Sequence, residues 1–256
     1  MTDAPPDAPR NDAPRNDAPR TDAPRTDAID RLIEKHGPGK ICEALMPMLT
    51  VERIARIEAV LAARLGSVVT AVEDTYDPHN AAATLRTTES LGLQELHVIE
   101  ARLRFSATHA VTKGAHSWLD LTRWPTAEAA IDALHHRGFR VYATAPEAKG
   151  LPARQTIEDV DVSTPLALVF GNEHDGVSDQ AIAASDGAIT VPMFGFTESF
   201  NLSVTVGMAM SRIATRRRAY LGATGDLDPD RRARLRARWF ALKIRGVIGV
   251  LERRLA

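Results

Sequence analysis

The alternation of short apolar segments with helical patterns constrains the fold of this chain more than any other feature. Segments with the composition of strands are Ser67–Val72, Leu96–Ile99, Phe139–Ala143, Leu166–Phe170 and Ala188–Val191. Helical patterns follow them at Asn80–Leu91, Ala127–Arg137, Ser178–Ala184 and Phe200–Arg218. Repeated β-α alternation predicts an α/β fold, in which a mostly parallel sheet carries helices on both faces. The wholly apolar composition of Leu166–Phe170 is typical of a strand covered on both faces.

Three flanking segments extend this predicted domain, which spans residues 67–219. Residues 1–28 repeat the unit Asp-Ala-Pro-Arg-(Asn/Thr), and a five-residue period containing proline fits neither helix nor strand, so we expect a disordered tail. Residues 29–66 have apolar residues at helical spacing and predict an N-terminal helical extension. Residues 220–256 predict a basic C-terminal extension whose helix spans Pro229–Leu255.

Charge is distributed unevenly along the chain. The formal net charge is −1, yet residues 210–256 contain 12 Arg and 1 Lys against 3 Asp and 1 Glu, which makes this segment +9 and residues 1–209 −10. Such asymmetry indicates an acidic ligand at the basic end. The candidate phosphate contacts are Arg216, Arg217, Arg218, Arg231, Arg232, Arg234, Arg236 and Arg238. A solvated helix face is the alternative, because these charges go all round a helix.

Several classes of protein are not expected. Cys42 is the one cysteine, so no internal disulfide or cysteine-rich zinc site is predicted. The segment before Ile29 lacks the apolar region of a signal peptide, and no run of about 18 apolar residues occurs. His174 has no second ligand at metal spacing, so no metal is expected. We therefore expect a soluble cytoplasmic protein.

Ligands of such sheets bind beyond the carboxyl ends of the strands, and the first polar segment found there is 77–87. Asn80 is predicted to cap the helix that begins there. Arg86 lies six residues later on a helix of mostly small residues. From the pattern alone, Arg86 fits either a surface ion pair or a contact with a phosphate or ribose.

Two more polar segments follow strands. In 168–178, Gly171 would let a ligand approach the backbone and Glu173 places a carboxylate at the strand tip, although a simple strand-to-helix turn explains the pattern as well. No dinucleotide or P-loop fingerprint is present. In 191–204, Ser199 is a candidate cap of the following helix, and Asn201 fits a capping role or a site role equally.

These three segments, in this order, resemble the motifs of the TrmH family within the SPOUT superfamily. The chain contains Asn80-x₅-Arg86-Thr87, then an aliphatic strand leading into Gly171-x-Glu173-x-x-Gly176. The third motif is Pro192-Met193-x-Gly195 followed by Ser199-x-Asn201-x-Ser203. The likeness extends from about Leu65 to Tyr220, and the ordered set is far more specific than any one motif.

The resemblance implies a trefoil-knotted α/β fold, a homodimer with its active sites at the subunit interface, and S-adenosylmethionine held by the knot loops. Carried over by position, the cofactor contacts are Thr144, Gly171, Val191, Met193 and Phe200. The family usually has leucine where Phe200 stands, and a backbone contact tolerates that change.

The resemblance also implies methyl transfer to a ribose 2′-oxygen of RNA. Arg86 is the implied catalytic residue, surrounded by Asn80, Glu173, Ser199 and Asn201. Family accounts make the arginine the base; because arginine stays protonated in proteins, we instead hypothesise that Arg86 stabilises the forming alkoxide while a substrate phosphate assists.

Within the family, Pro78-His79-Asn80 and the short helical flanks resemble the tRNA enzymes that methylate guanosine 18 in the D-loop. The chain departs from them at Tyr76-Asp77-Pro78, where those enzymes commonly have lysine before the proline. The alternatives are the same reaction on ribosomal RNA and a catalytically silent RNA-binding dimer. An α/β oxidoreductase ranks below both, because no dinucleotide fingerprint follows a strand.

Overall fold

The computed structural model describes residues 24–106, 114–145, 154–197 and 199–255. Its centre is a seven-stranded sheet of β1 (Leu65–Glu73), β2 (Leu93–Ile99), β3 (Asp120–Trp124), β4 (Arg140–Thr144), β5 (Arg154–Thr156), β6 (Leu166–Phe170) and β7 (Gly187–Thr190). The strand order is β3-β2-β1-β6-β4-β7-β5, and each neighbouring pair is parallel. The predicted α/β class is confirmed.

Nine α-helices surround this sheet in the part of the chain that the structure describes. They are α1 (Pro24–His36), α2 (Pro38–Leu45), α3 (Val51–Ala62), α4 (Pro78–Ser90), α5 (Ala127–His136), α6 (Asp179–Ala184), α7 (Leu202–Leu221), α8 (Pro229–Leu242) and α9 (Val247–Arg254). None of the described helices is both long and apolar enough to span a membrane. Among the described side chains, no group of His, Cys, Asp and Glu is arranged to hold a metal ion.

Strand β6 shows why a wholly apolar run is required at the centre of the sheet. Leu166, Leu168 and Phe170 pack into the core shared with α4 and α7, whereas Ala167 and Val169 face the core under α5 and α6. Successive side chains of a strand point to opposite faces, so a strand with helices on both sides has no solvent face for polar residues.

The two predicted helical extensions form one unit. Helices α1, α2, α3, α8 and α9, here called the helical bundle, share a third core in which Ile29, Ile41, Leu61, Trp239 and Phe240 are fully or almost fully buried. The bundle therefore depends on segments from both flanks of the α/β domain, which the spacing of apolar residues in either flank does not indicate.

A charge network centred on the buried carboxylate of Glu95 joins this bundle to the sheet. On α8, Arg231 binds Glu95 of β2 at 2.5 Å and Asp120 of β3 at 2.7 Å. Arg137 and His97 also donate hydrogen bonds to Glu95, which is 4% exposed. Burial alone would raise the pKa of Glu95, but the hydrogen bonds from His97 and Arg137 and the charge of Arg231 hold that pKa well below its ordinary value.

Several element boundaries differ from the sequence-based expectations. Residues 1–23 of the predicted tail lie outside the described residues, and α1 begins at Pro24, inside the segment expected to be disordered. The helix predicted over Pro229–Leu255 is two helices, since Gly246 has φ = 66° between α8 and α9. Strands β3 and β5 were not predicted, because their polar sequences lack an apolar run. The trefoil knot stays a prediction.

Candidate active site

Side chains from three separate segments meet at the carboxyl ends of β1 and β6. Asn80, in the first turn of α4, donates from Nδ2 to Glu173 Oε1 at 2.6 Å. Asn201 donates from Nδ2 to Asn80 Oδ1 at 3.1 Å. Because β1 and β6 are paired up to Val72 and Phe170, the loops that leave them begin side by side. We call Asn80, Glu173 and Asn201 the polar trio.

Asn80 is available to the trio because another residue caps its helix. The side chain of Asp77 accepts a hydrogen bond from His79 N at 2.8 Å, and Pro78 occupies the first helical position. The prediction that Asn80 caps this helix is therefore wrong. An aspartate followed by proline is a recognisable helix start, so the sequence contained the signal. Asn80 itself is 6% exposed, and its buried amide requires partners of the kind that Glu173 and Asn201 provide.

Asn201 caps a helix, which was one of its two interpretations, and it also contacts Asn80; its site role stays a prediction. Its Oδ1 accepts from Ser203 N at 2.9 Å and caps α7, while its Nδ2 reaches Asn80. Ser199 is exposed and lies two residues before the cap, so the prediction that Ser199 caps this helix is wrong. A site role for Ser199 stays a prediction.

Glu173 is held at the tip of β6 by contacts on both carboxylate oxygens. Oε1 accepts from Asn80, and Oε2 accepts from the backbone N of Tyr76 at 3.2 Å. The loop around Glu173 is closed by Asn172, whose Oδ1 accepts from the backbone N of both His174 and Asp175 at 2.8 Å. The backbone hydrogen bond to Tyr76 was not foreseen, because sequence patterns do not reveal contacts between distant loops.

Packing within the protein requires glycine at position 171. A Cβ placed there would lie 1.9 Å from Gly176 C and 2.0 Å from Val177 N. From the sequence, we expect a glycine here so that a ligand can approach the backbone. In the structure, the backbone of Gly176 and Val177 makes this close approach. A cofactor contact by the Gly171 backbone stays a prediction.

Arg86 lies on the exposed side of α4. Within the described residues it forms no hydrogen bond or ion pair, and in one chain it touches none of the polar trio by such a bond. Of the two interpretations that the sequence left open for Arg86, the surface ion pair is therefore not observed. The guanidinium of Arg86, which lies on the same helix as Asn80, is free to bind an anion.

The predicted cofactor contacts lie at the ends of adjacent strands. Thr144, Gly171 and Val191 follow or end β4, β6 and β7, which are neighbours in the sheet. Thr144 is half-buried, and its hydroxyl donates to Val169 O at 3.0 Å. These three residues therefore border one stretch of the sheet edge, beside the start of α7.

The loop after β7 fits the S-adenosylmethionine that the family resemblance implies. Across the described residues, the backbone groups of 191–197 form no hydrogen bonds with other backbone groups. Met193 is half-buried, Phe200 is 39% exposed, and Phe194 and Phe196 are fully exposed. Free backbone donors and acceptors beside apolar side chains fit a ligand that combines a purine, an amino acid and an apolar methyl group.

A cavity of about 620 Å³ is lined in part by Asp175 and Val177, which follow Glu173 in the chain. Its lining includes Glu73, Asp74, Arg102, Glu128, Asp175 and Ser178. None of the predicted cofactor contacts belongs to this lining. Most of its ionisable groups are acidic, so it does not fit the carboxylate of the cofactor or an RNA phosphate.

The arginines predicted to bind RNA have internal partners. Arg216, Arg217 and Arg218 donate to backbone carbonyls, among them Ile157 O, Val162 O and Leu91 O. In α8, the arginines pair with acids of the preceding segments: Arg231 with Glu95 and Asp120, Arg232 and Arg236 with Glu58, Arg234 with Glu34, and Arg238 with Asp30 and Asp120. The charge excess counted along residues 210–256 is thus largely compensated in space. RNA contact by these arginines stays a prediction.

Comparison with known proteins places this architecture in a family. The family model described as "SpoU rRNA Methylase family" matches residues 67–211. A tRNA (guanosine(18)-2′-O)-methyltransferase of Borreliella burgdorferi is 36% identical over 174 residues, which cover 68% of this chain and 78% of the relative. The protein with the same name from Thermus thermophilus is 35% identical over 191 residues, which cover 74% of this chain and 96% of the relative.

A solved structure has the same fold. The crystal structure described as the A. aeolicus TrmH/SpoU tRNA modifying enzyme superposes with a TM-score of 0.66 and 24% identity. The superposition covers 75% of this chain and 97% of that one, and it shows the same fold. The motif-based resemblance is confirmed: the chain belongs to the SpoU rRNA methylase family.

Proposed function

We propose that this protein transfers a methyl group from S-adenosylmethionine to the ribose 2′-hydroxyl of guanosine 18 in tRNA. The observation that carries the proposal is the polar trio, in which the three family segments contribute one side chain each to a connected hydrogen-bond network. The relatives that share 35–36% identity are named for this reaction on this nucleotide.

The chain's own residues have separable roles in the proposed reaction. S-adenosylmethionine, when bound, would supply an electrophilic methyl group on a sulfonium and would keep the electrons of the broken sulfur–methyl bond as a neutral thioether. The trio orients the ribose so that its 2′-oxygen is aligned with that methyl carbon, and such alignment is a large part of catalysis. The guanidinium of Arg86 stabilises the negative charge that develops on the 2′-oxygen. A phosphate of the substrate accepts the departing proton.

A homodimer is part of this proposal. On α7, Val204 and Met208 are 47% and 45% exposed and lie one helical turn apart, next to the exposed Phe200. Exposed apolar side chains at this spacing form a stripe that fits a twofold contact between identical surfaces. Such a contact would bring the loops that precede two α7 helices together, which supports active sites at the subunit interface. Light scattering coupled to size-exclusion chromatography measures the stoichiometry.

RNA contact by the helical bundle is also proposed, with Arg232 and Arg234 as its main residues. Their ion pairs, with Glu58 at 3.4 Å and Glu34 at 3.5 Å, are exposed and long. Surface pairs of this kind contribute little stability, so phosphate groups can replace the carboxylates. A cytoplasmic location accords with this substrate and with the buried free thiol of Cys42.

The experiment that tests the function maps ribose methylation after incubation of the protein with S-adenosylmethionine and tRNA. A transcript carrying 2′-deoxyguanosine at position 18 is the matched control, because it lacks only the accepting hydroxyl. We expect methylation of the first transcript at nucleotide 18 and none of the control. Methylation of ribosomal RNA alone would support the ribosomal alternative, and absence of cofactor binding by calorimetry would support the silent dimer.

A further inference from the structure

Two aromatic side chains project into solvent beside the polar trio. Tyr76, in the loop between β1 and α4, is 68% exposed, and His174, in the loop after β6, is also exposed. Their ring centroids lie 5.8 Å apart at an interplanar angle of 46°. We call these two rings the aromatic pair. Exposed rings that lie together next to a candidate active site can stack on a ligand with a planar surface.

The backbone beneath the aromatic pair is firmly held. Asp74 has φ = 46°, in the left-handed region, and its carboxylate accepts from the backbone N of Arg102 and Leu103 at 2.8 and 2.9 Å. Arg102 also donates to Asp175 at 2.9 Å, which ties the loop of Tyr76 to the loop of His174. The backbone segments that carry the two rings are therefore held before any ligand arrives, which reduces the entropy cost of binding.

Glu173 connects the aromatic pair to the trio. One carboxylate oxygen accepts from Tyr76 N and the other from Asn80 Nδ2. In a ribonucleoside the base is bonded to C1′, the neighbour of the carbon that bears the 2′-hydroxyl. His174 directly follows Glu173, and the backbone of Tyr76 is bonded to it, so a ribose bound at the trio carries its base towards these two rings.

We propose that Tyr76 and His174 form the stacking surface for the base of the nucleotide that is methylated. This inference rests on the proposed function and names the residues that hold the base of its substrate. Recognition of unpaired RNA bases commonly uses aromatic side chains on which the splayed base stacks. Stacking of this kind is tolerant of base identity, so the pair supplies affinity for a base turned out of its loop, and the choice of guanosine lies elsewhere.

The test compares Tyr76→Ala, Tyr76→Leu and Tyr76→Phe with the unmodified protein in single-turnover methyl transfer to the tRNA transcript. Tyr220→Ala is the matched control, because Tyr220 is 60% exposed on α7. Tyr76→Ala and Tyr76→Leu should weaken the apparent affinity for tRNA by roughly 5- to 150-fold, which is about 1–3 kcal/mol per stacked base. Tyr76→Phe should restore it, and the affinity for S-adenosylmethionine should stay unchanged in all variants.

A second readout reports the stack directly. A transcript with 2-aminopurine in place of the target guanosine should fluoresce weakly in complex with the unmodified protein and more brightly with Tyr76→Ala. Equal brightness, or equal tRNA affinity of Tyr76→Leu and Tyr76→Phe, would overturn the proposal. So would a change of Tyr76→Ala from dimer to monomer, since the rings would then contact a second subunit. If the unmodified protein methylates no tRNA at all, the proposed function fails before these variants are compared.

Discussion

At the scale of single residues, the site depends on side chains that each satisfy two requirements. Asn201 caps α7 and reaches Asn80, and Glu173 binds Asn80 and the backbone of Tyr76. Arg86 differs from them, because its guanidinium has no partner among the described residues and is exposed. An unpaired cation of this kind is suited to a charge that exists only in the transition state.

Arg86→Ala should therefore reduce methyl transfer by about 10²–10³-fold or more, the range found when one donor to a developing oxyanion is removed. The affinity for S-adenosylmethionine should remain nearly unchanged, because the predicted cofactor contacts belong to other loops. Single-turnover rates and calorimetry measure the two quantities. Arg56→Ala is the control, since Arg56 is an exposed arginine of α3. Wild-type turnover of Arg86→Ala would remove this residue from the mechanism.

Gly171→Ala should destabilise the protein by about 3 kcal/mol or more, because its Cβ has to displace backbone atoms. The nearest of these atoms is only 1.9 Å away. Gly187→Ala is a matched control: it also changes a glycine of the sheet region, but its Cβ would lie 3.6 Å from Tyr142, an ordinary contact. Urea unfolding compares the two variants. Equal stability would mean that the loop from Gly171 to Val177 is not packed as described.

At the scale of elements, the sequence predicted what depends on local pattern. The five predicted strand segments and the helices that follow them were located from apolar spacing, and the helix predicted to begin at Ser178 is capped by that residue. Asn80 and Ser199 were wrongly given capping roles, because several polar residues near a helix start compete and tertiary contacts select among them. The meeting of Asn80, Glu173 and Asn201 was implied by the family resemblance, whereas no local pattern could place residues 121 positions apart in hydrogen-bonding contact.

Contacts between elements also explain why α8 is rich in arginine. Arg231→Ala should destabilise the protein by about 3–5 kcal/mol, because it leaves the buried Glu95 without one of its cationic partners. Arg245→Ala, an exposed arginine beyond α8, should change stability by less than about 0.5 kcal/mol. Urea denaturation measures both. Similar small effects would show that Arg231 is a solvated surface residue, as the alternative interpretation of this helix proposed.

The same network predicts a dependence of stability on pH. The folded-state pKa of Glu95 is depressed, so its contribution is complete above the unfolded value of about 4.3 and is lost as pH falls below it. Thermal unfolding between pH 7 and pH 3 should show this loss, and Glu95→Gln should show a smaller one. An identical acid profile for Glu95→Gln would contradict the role of this carboxylate.

At the scale of the whole molecule, the count of charges along the chain overestimated the basic surface. The five arginines of α8 meet acids of residues 30–120 in the folded protein, and a linear count cannot represent such pairing. The family resemblance predicted the function better than the charge count did. Folding leaves the order of the motifs unchanged, whereas ion pairs in the folded protein cancel part of the charge that was counted along the sequence. What remains for an RNA surface is the set of guanidinium groups that stay exposed after folding.

The double variant Arg232→Ala/Arg234→Ala should bind tRNA more weakly and with a smaller dependence on salt. Each lost phosphate contact lowers the slope of log affinity against log salt by about 0.7–0.9, so the double variant should lose up to about 1.4–1.8. Filter binding of tRNA at salt concentrations between about 50 and 200 mM measures this slope. Arg212→Ala is the control, because Arg212 is similarly exposed and paired with Glu158 outside the bundle. An unchanged slope would exclude Arg232 and Arg234 as phosphate contacts.

The shared core of the helical bundle has a consequence for the order of events during synthesis. Helices α1–α3 leave the ribosome long before α8, yet Ile41 and Leu61 lose contact with water only when Trp239 and Phe240 cover them. For most of translation, helices α1–α3 of the nascent polypeptide therefore expose apolar side chains, because α8 has not yet been synthesised. A product terminated before residue 229 would keep those helices uncovered, and quality-control proteases could recognise it by that exposure.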